Sequence, residues 1–152
     1  MVDVASRKVV RRIRLRGCLG GTGIGYDPAD DLVISVCENG VIKFIQASGG
    51  EEVASIVVGK GADAVLYDSH RRLVFVPSAE SGTLSIIAVH GAKDIALLQV
   101  VATQIGTRLG AVDEATGRIY LPAAKFGPPK GPSPYPSVLP GSFEFLILAP
   151  DR

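Results

Sequence analysis

GYDPADDLVISVCEN (25–39), LYDSHRRLVFVPSAE (66–80) and AVDEATGRIYLPAAK (111–125) are three versions of one unit. Each has an apolar approach, an aspartate (Asp27, Asp68, Asp113), a short polar turn and then an apolar run. The aspartates are 68 − 27 = 41 and 113 − 68 = 45 residues apart. That period is the one expected of a repeated four-stranded antiparallel sheet.

Working outward from these segments, turn residues cut each unit into strands a to d. In the first unit the strands are predicted near 22–27, 32–37, 41–46 and 53–58, broken by PADD, ENG and SGGE. The second gives 62–67, 73–78, 83–89 and 96–102, and the third 107–112, 118–123 and 142–149 without a fourth strand. The missing outer strand is predicted at the other end of the chain. There VDVASRKVVRRIRLRG (2–17) matches QASGGEEVASIVVG (46–59), with Val9, Ile13 and Leu15 on its apolar side. Residues 1–16 are thus read as an outer strand, with units at 17–59, 60–103 and 104–152. Glycine, proline and β-branched residues interrupt every helical window.

The segments GIGYDPADDLVISVCENGVIKFI, SAESGTLSIIAV and TRLGAVDEATGRIYLPAAKF resemble the YVTN-type β-propeller repeats. RIYLPAAKFGPP, the proline-rich loop of 127–141 and PGSFEFLIL resemble a terminal blade ending after strand c. The resemblance implies an all-β fold of four-stranded blades, three to this chain, as a C-terminal portion of such a protein. Propellers ordinarily close with about 4 to 8 blades, so three leave two apolar blade faces and a strand edge in water. The expectation is a homo-oligomer, first of all a homodimer in which two copies make a six-bladed ring. Strand 8–15 of one copy would complete the third blade of the other, giving a seam of Val9, Ile13, Leu15, Phe143, Phe145 and Ile147. A fragment dependent on blades from elsewhere is the alternative. Family members often begin with an export signal. MVDVASRKVV has no continuous apolar stretch after its charges, so no signal is read here and the compartment stays open.

Composition agrees with a folded β-rich chain: 152 residues, 47% hydrophobic, 20% charged, with 18 glycines, 10 prolines and no tryptophan. No apolar run reaches the roughly 20 residues that span a bilayer, and no membrane partner is expected. Sixteen basic against 15 acidic side chains leave +1. The distribution is uneven: Arg7, Lys8, Arg11, Arg12, Arg14 and Arg16 against Asp3 give the N-terminus +5, leaving 10 − 14 = −4 for the remainder. These arginines read as the solvent side of an outer strand. Nucleic-acid binding through them is the weaker reading, because no aromatic residue interleaves to stack on bases.

Catalytic signals are sparse. A lactonase-like hydrolase would need carboxylates and histidines converging on a channel, and the only histidines, His70 and His90, fall in turns. No GxSxG elbow is present, and GCLGGTGIG (17–25) leads into a strand rather than the helix a phosphate loop opens. The repeated aspartates read as turn caps. Cys18 and Cys37, without CxxC spacing, read as free thiols. No metal, catalytic residue or cofactor is assigned. A small polar ligand or peptide would bind at the channel-mouth loops, through Glu38, Asn39, Lys60, Asp63, Glu80, Arg108, Lys125 and Tyr135. The sequence reading is therefore a non-catalytic binding or scaffold module.

Overall fold

The computed structural model describes residues 2–129 and 136–150. A small N-terminal hairpin pairs β1 (Val2–Asp3) with β2 (Lys8–Val9). Sheet 1 follows, with β3 (Gly21–Asp27), β4 (Leu32–Cys37), β5 (Val41–Gln46) and β6 (Glu52–Val57) in sequential antiparallel order. Sheet 2 repeats it with β7 (Leu66–Asp68), β8 (Leu73–Ser78), β9 (Thr83–Val89) and β10 (Ile95–Ala102). Next come β11 (Ala111–Asp113) and β12 (Arg118–Ala123), then a hairpin of β13 (Phe126–Pro129) and β14 (Pro136–Val138), and finally β15 (Glu144–Leu148). β11, β12 and β15 form the three-stranded sheet 3, in which β15 is an edge.

The turn from the first to the second strand of each sheet explains the recurring aspartate. Asp27 and Asp68 are fully buried, and their Oδ1 atoms accept the N–H of Ala29 (3.0 Å) and Arg71 (2.9 Å); Asp113 accepts that of Ala115 (3.0 Å). Four residues beyond each aspartate the chain turns left-handed, at Asp31 (φ 53°), Arg72 (φ 58°) and Gly117 (φ 74°). Only the third unit uses glycine there. The first two hold a disfavoured backbone by side-chain bonds: Asp31 accepts from Ser48 N–H (3.0 Å), and Arg72 Nε donates to the Val89 carbonyl (2.8 Å). These turns also join neighbouring sheets. Arg72 pairs with Asp27 (3.3 Å) and Asp30, while Arg71 Nη1 donates to the Glu114 carbonyl (2.6 Å).

Strand alternation gives each sheet a front, facing its successor in sequence, and a back. The front of sheet 1 (Leu32, Ile34, Val36, Ile42, Phe44) packs on the back of sheet 2 (Val74, Val76, Ile87, Val89). The front of sheet 2 (Phe75, Leu84, Ile86) packs on the back of sheet 3 (Ile119, Leu121, Leu146, Leu148). Close approach needs glycine at two positions in β3. A Cβ on Gly23 would stand 2.8 Å from the Asp63 carbonyl, and one on Gly25 2.6 Å from Val65 Cγ1.

Three expectations are corrected. Cys18 and Cys37 form a disulfide, with Cα atoms 5.4 Å apart. Gly17 and Gly20, both left-handed, curl the incoming chain back against the end of β4, a path that cysteine spacing cannot reveal. Second, the strand expected over 8–15 is confined to Lys8–Val9, paired within its own hairpin, and residues 10–15 are not in a strand. Ile13 and Leu15 do point at an apolar surface, but it is the back of sheet 1. Third, the proline-rich segment read as a loop carries strand pairing, β13 with β14. The first strands of sheets 2 and 3 are also shorter than expected, with the start of the second reduced to one bridge, Ala62 to Ser78.

Candidate functional site

Two surfaces are built by the repeat: the end carrying the second-to-third strand turns, and the outward faces of the first and last sheets. At the turn end, backbone bonds link one sheet to the next. Gly61 N–H donates to the Glu38 carbonyl (2.9 Å), Ala79 N–H to Gly61 (2.8 Å) and Gly106 N–H to Ala79 (2.8 Å). This ladder brings Glu38, Lys60, Asp63, Glu80 and Arg108 to the same end of the molecule.

Their side chains are not equally available. Asn39 is engaged with the incoming chain, its Nδ2 donating to the Gly17 carbonyl (3.0 Å) and its Oδ1 accepting Leu19 N–H (3.0 Å). Asp63 and Arg108 form an ion pair at 3.4 Å, which being exposed is worth little. Glu38, Lys60, Glu80 and Lys125 are exposed. Glu80 and Arg108 line a cavity of about 210 Å³ with Ile105, Phe126 and Pro136. An adjoining cavity of about 230 Å³ sets Arg108 beside Leu109, Pro122, Phe126, Val138 and Phe143. Tyr135 lies outside the described residues. Phe126 and Val138 are the contributors that sequence reasoning missed. Their signal was two large apolar residues in a segment read as a loop, and pairing as a hairpin presents them toward Arg108. Such a groove suits a ligand with an apolar body and a charged or polar end.

His70 and His90 are exposed in turns, and among the described residues no three His, Cys, Asp or Glu side chains converge as metal ligands. No helix among the described residues is long and apolar enough to cross a membrane.

The second surface lies on the two ends of the row of sheets. On the front of sheet 3, Tyr120 stands opposite Ile147 and Pro122 opposite Phe145. These are the positions that in sheet 2 carry Phe75 opposite Ile86 and Pro77 opposite Leu84, which are packed on sheet 3. In sheet 3 Tyr120 and Pro122 are half-buried, but Phe145 is 63% exposed and Ile147 61%, with Phe143 edge-on to Phe145 at 5.7 Å. Beside the β15 edge a cavity of about 400 Å³ opens between sheets 2 and 3, lined by Phe75, Ile86, Gln99, Val101, Ile119 and Leu148. Between sheets 1 and 2 the corresponding space is filled from the fourth strand, by Ile95 of β10. The cavity lies on the open side of β15, the position that β10 takes beside β9 in sheet 2.

At the opposite end, the back of sheet 1 has Val33 opposite Ile45 and Ser35 opposite Lys43. This face is covered only over its middle, for Ile24 is 74% and Tyr26 51% exposed. Ile13 and Leu15 lie over it, lining a cavity of about 380 Å³ with Ile24, Val33, Ser35, Ile45 and Ala47. Lys43 is buried there and its Nζ pairs with Glu52 at 2.8 Å.

Comparison with solved structures places this arrangement. The chain superposes on the RRP9 WD40 repeats with a TM-score of 0.63 at 15% identity, over 75% of this chain and 35% of that one. It superposes on the dihydro-heme d1 dehydrogenase NirN with a TM-score of 0.61 at 19% identity, over 91% and 32%. A chain of a nidogen/laminin complex gives 0.53 at 16%, over 67% and 39%. The fold is propeller-like. No family model matches the sequence, and no curated protein does. The chain spans about a third of the length of these structural neighbours, which at such identities share its fold and nothing further.

Proposed function

We propose that this chain is a three-blade, non-catalytic binding or scaffold module that closes its ring by pairing with a second copy. The observation that carries this is the front of sheet 3, which repeats the residue pattern of two buried fronts while Phe145 and Ile147 stand in water. Contiguous exposed apolar surface of this kind marks an interaction site. Since each front in the chain packs on a back, the complement of this front is a back, and the second copy offers one on its sheet 1. A two-fold arrangement uses both pairs of faces and gives six blades. In it, residues 8–15 of each copy would add along the free β15 edge of the other and fill the 400 Å³ cavity with Ile13 and Leu15. The seam is then Val9, Ile13, Leu15, Phe143, Phe145 and Ile147. That a chain of this fold occurs in a complex of two proteins, nidogen and laminin, supports protein binding as its use. The groove at Glu80, Arg108 and Phe126 would hold a small polar ligand or peptide.

The test is Phe145→Asp with Ile147→Asp. Charged groups on the docking front should reduce the associated species to a folded 15.9 kDa chain, seen by light scattering and circular dichroism. Retention of the associated mass would contradict the reading. The hydrolase alternative predicts lactone turnover by the purified chain that a chelator abolishes. Binding through the arginines predicts affinity for oligonucleotides falling steeply with salt and lost on replacing Arg11, Arg12 and Arg14.

A further inference from the structure

We propose that residues 10–16 are a two-position element, stored in the free chain on the back of sheet 1 and transferred to the β15 edge of a second copy on assembly; this rests on the ring reading above. The two positions exclude each other. Ile13 and Leu15 cannot line the 380 Å³ cavity of their own sheet 1 and also fill the 400 Å³ cavity of another chain. Nor can the front of sheet 3 of a second copy reach Val33 and Ile45 while Ile13 and Leu15 lie over them.

The stored position is lightly held. Residues 10–15 form no strand ladder, and the cavity beneath them is incompletely filled. Arg11 anchors the segment, its Nη1 donating to the Ser48 carbonyl at 2.7 Å and its Nη2 to that of Gly49. The movable part has a defined end. Gly17 is left-handed (φ 73°), and immediately beyond it the Cys18–Cys37 disulfide and the Asn39 side chain fix the chain to sheet 1. Everything before Gly17 is free to leave while the sheet behind it stays intact. Charge suits the transfer as well, because the segment carries Arg11, Arg12, Arg14 and Arg16, and Glu144 stands at the start of the strand it would join.

A protein whose binding-competent state is only partly populated shows an affinity reduced by that fraction. Arg11→Ala removes the bonds to the Ser48 and Gly49 carbonyls that hold the stored position. It should tighten self-association by about tenfold, the size of effect expected from losing hydrogen bonds to a charged group. Deletion of residues 1–16 should instead weaken association, because the seam strand is gone. In a background carrying Phe145→Asp and Ile147→Asp, which keeps the chain monomeric on the ring reading, the deletion should raise hydrogen exchange over 33–47, now uncovered. If Arg11→Ala leaves association unchanged or weaker, the stored position has no bearing on assembly and the proposal is overturned. If the deletion tightens association, the segment only blocks the face and the transfer is overturned. If the double aspartate variant keeps the associated mass, it is the ring reading that fails.

Discussion

Asp27 shows how one residue type serves the repeat. It is fully buried, caps its turn through Ala29 and pairs with Arg72 of the next sheet, so its loss leaves a backbone donor without its acceptor and removes one of the two carboxylates that hold Arg72. Asp27→Ala should cost about 2–4 kcal/mol, measured by urea unfolding. Tyr67 sits in the same cluster. Burial first, and then the neighbouring Asp27, push its hydroxyl up to about 12 from an ordinary value of 10.0. A pKa raised in the folded state gives stability that is complete below pH 10 and lost as pH climbs toward 12. Unfolding midpoints should fall across that window, and Tyr67→Phe should remove this part of the fall. Acid acts through other groups. Hydrogen bonds from Thr116 to Asp113 and from Ser69 to Glu114 hold both carboxyls below their usual range. Their contribution is present at neutral pH and disappears as pH drops through the lowered values. The turn role of the three aspartates was legible from recurrence alone. Their bridging to Arg72 was not, because it joins residues 45 apart that only sheet stacking brings together.

Elements were legible where turn chemistry and alternation agreed. Strands β4, β5, β8 and β12 fall on the residues expected of them, since each is a continuous apolar run between polar or glycine turns. The N-terminal segment deceived because its alternation of arginine with Val9, Ile13 and Leu15 is a strand pattern, yet Ile13 and Leu15 lie over the face of sheet 1 and residues 10–15 join no sheet. The β3 glycines carry a prediction at this scale. Gly23→Ala would press a methyl into the Asp63 carbonyl and the Ala64 Cα at 2.8 and 2.9 Å, backbone that cannot swing aside. It should destabilise by about 1–3 kcal/mol as overpacking does. The disulfide closes a separation of 19 residues, for which loop-entropy arguments give about 3 kcal/mol. Comparing thermal unfolding with and without reductant checks this, and an unchanged midpoint would show that the bond adds nothing.

At the scale of the molecule, the three sheets form a row; the N-terminal segment lies over part of one end face, and Phe145 and Ile147 stand exposed on the other. The repeat and its antiparallel sheets of about four strands could be read from residues. The candidate groove was only partly readable: Glu80 and Arg108 belong to it, Asn39 is committed to the backbone of Gly17, and Phe126 enters through a hairpin that the prolines disguised. Light scattering on the sized, purified chain tests the central claim most directly. Ring closure by a second copy predicts a mass near twice 15.9 kDa that approaches the single-chain value on dilution; a well-behaved 15.9 kDa species at every concentration would contradict it.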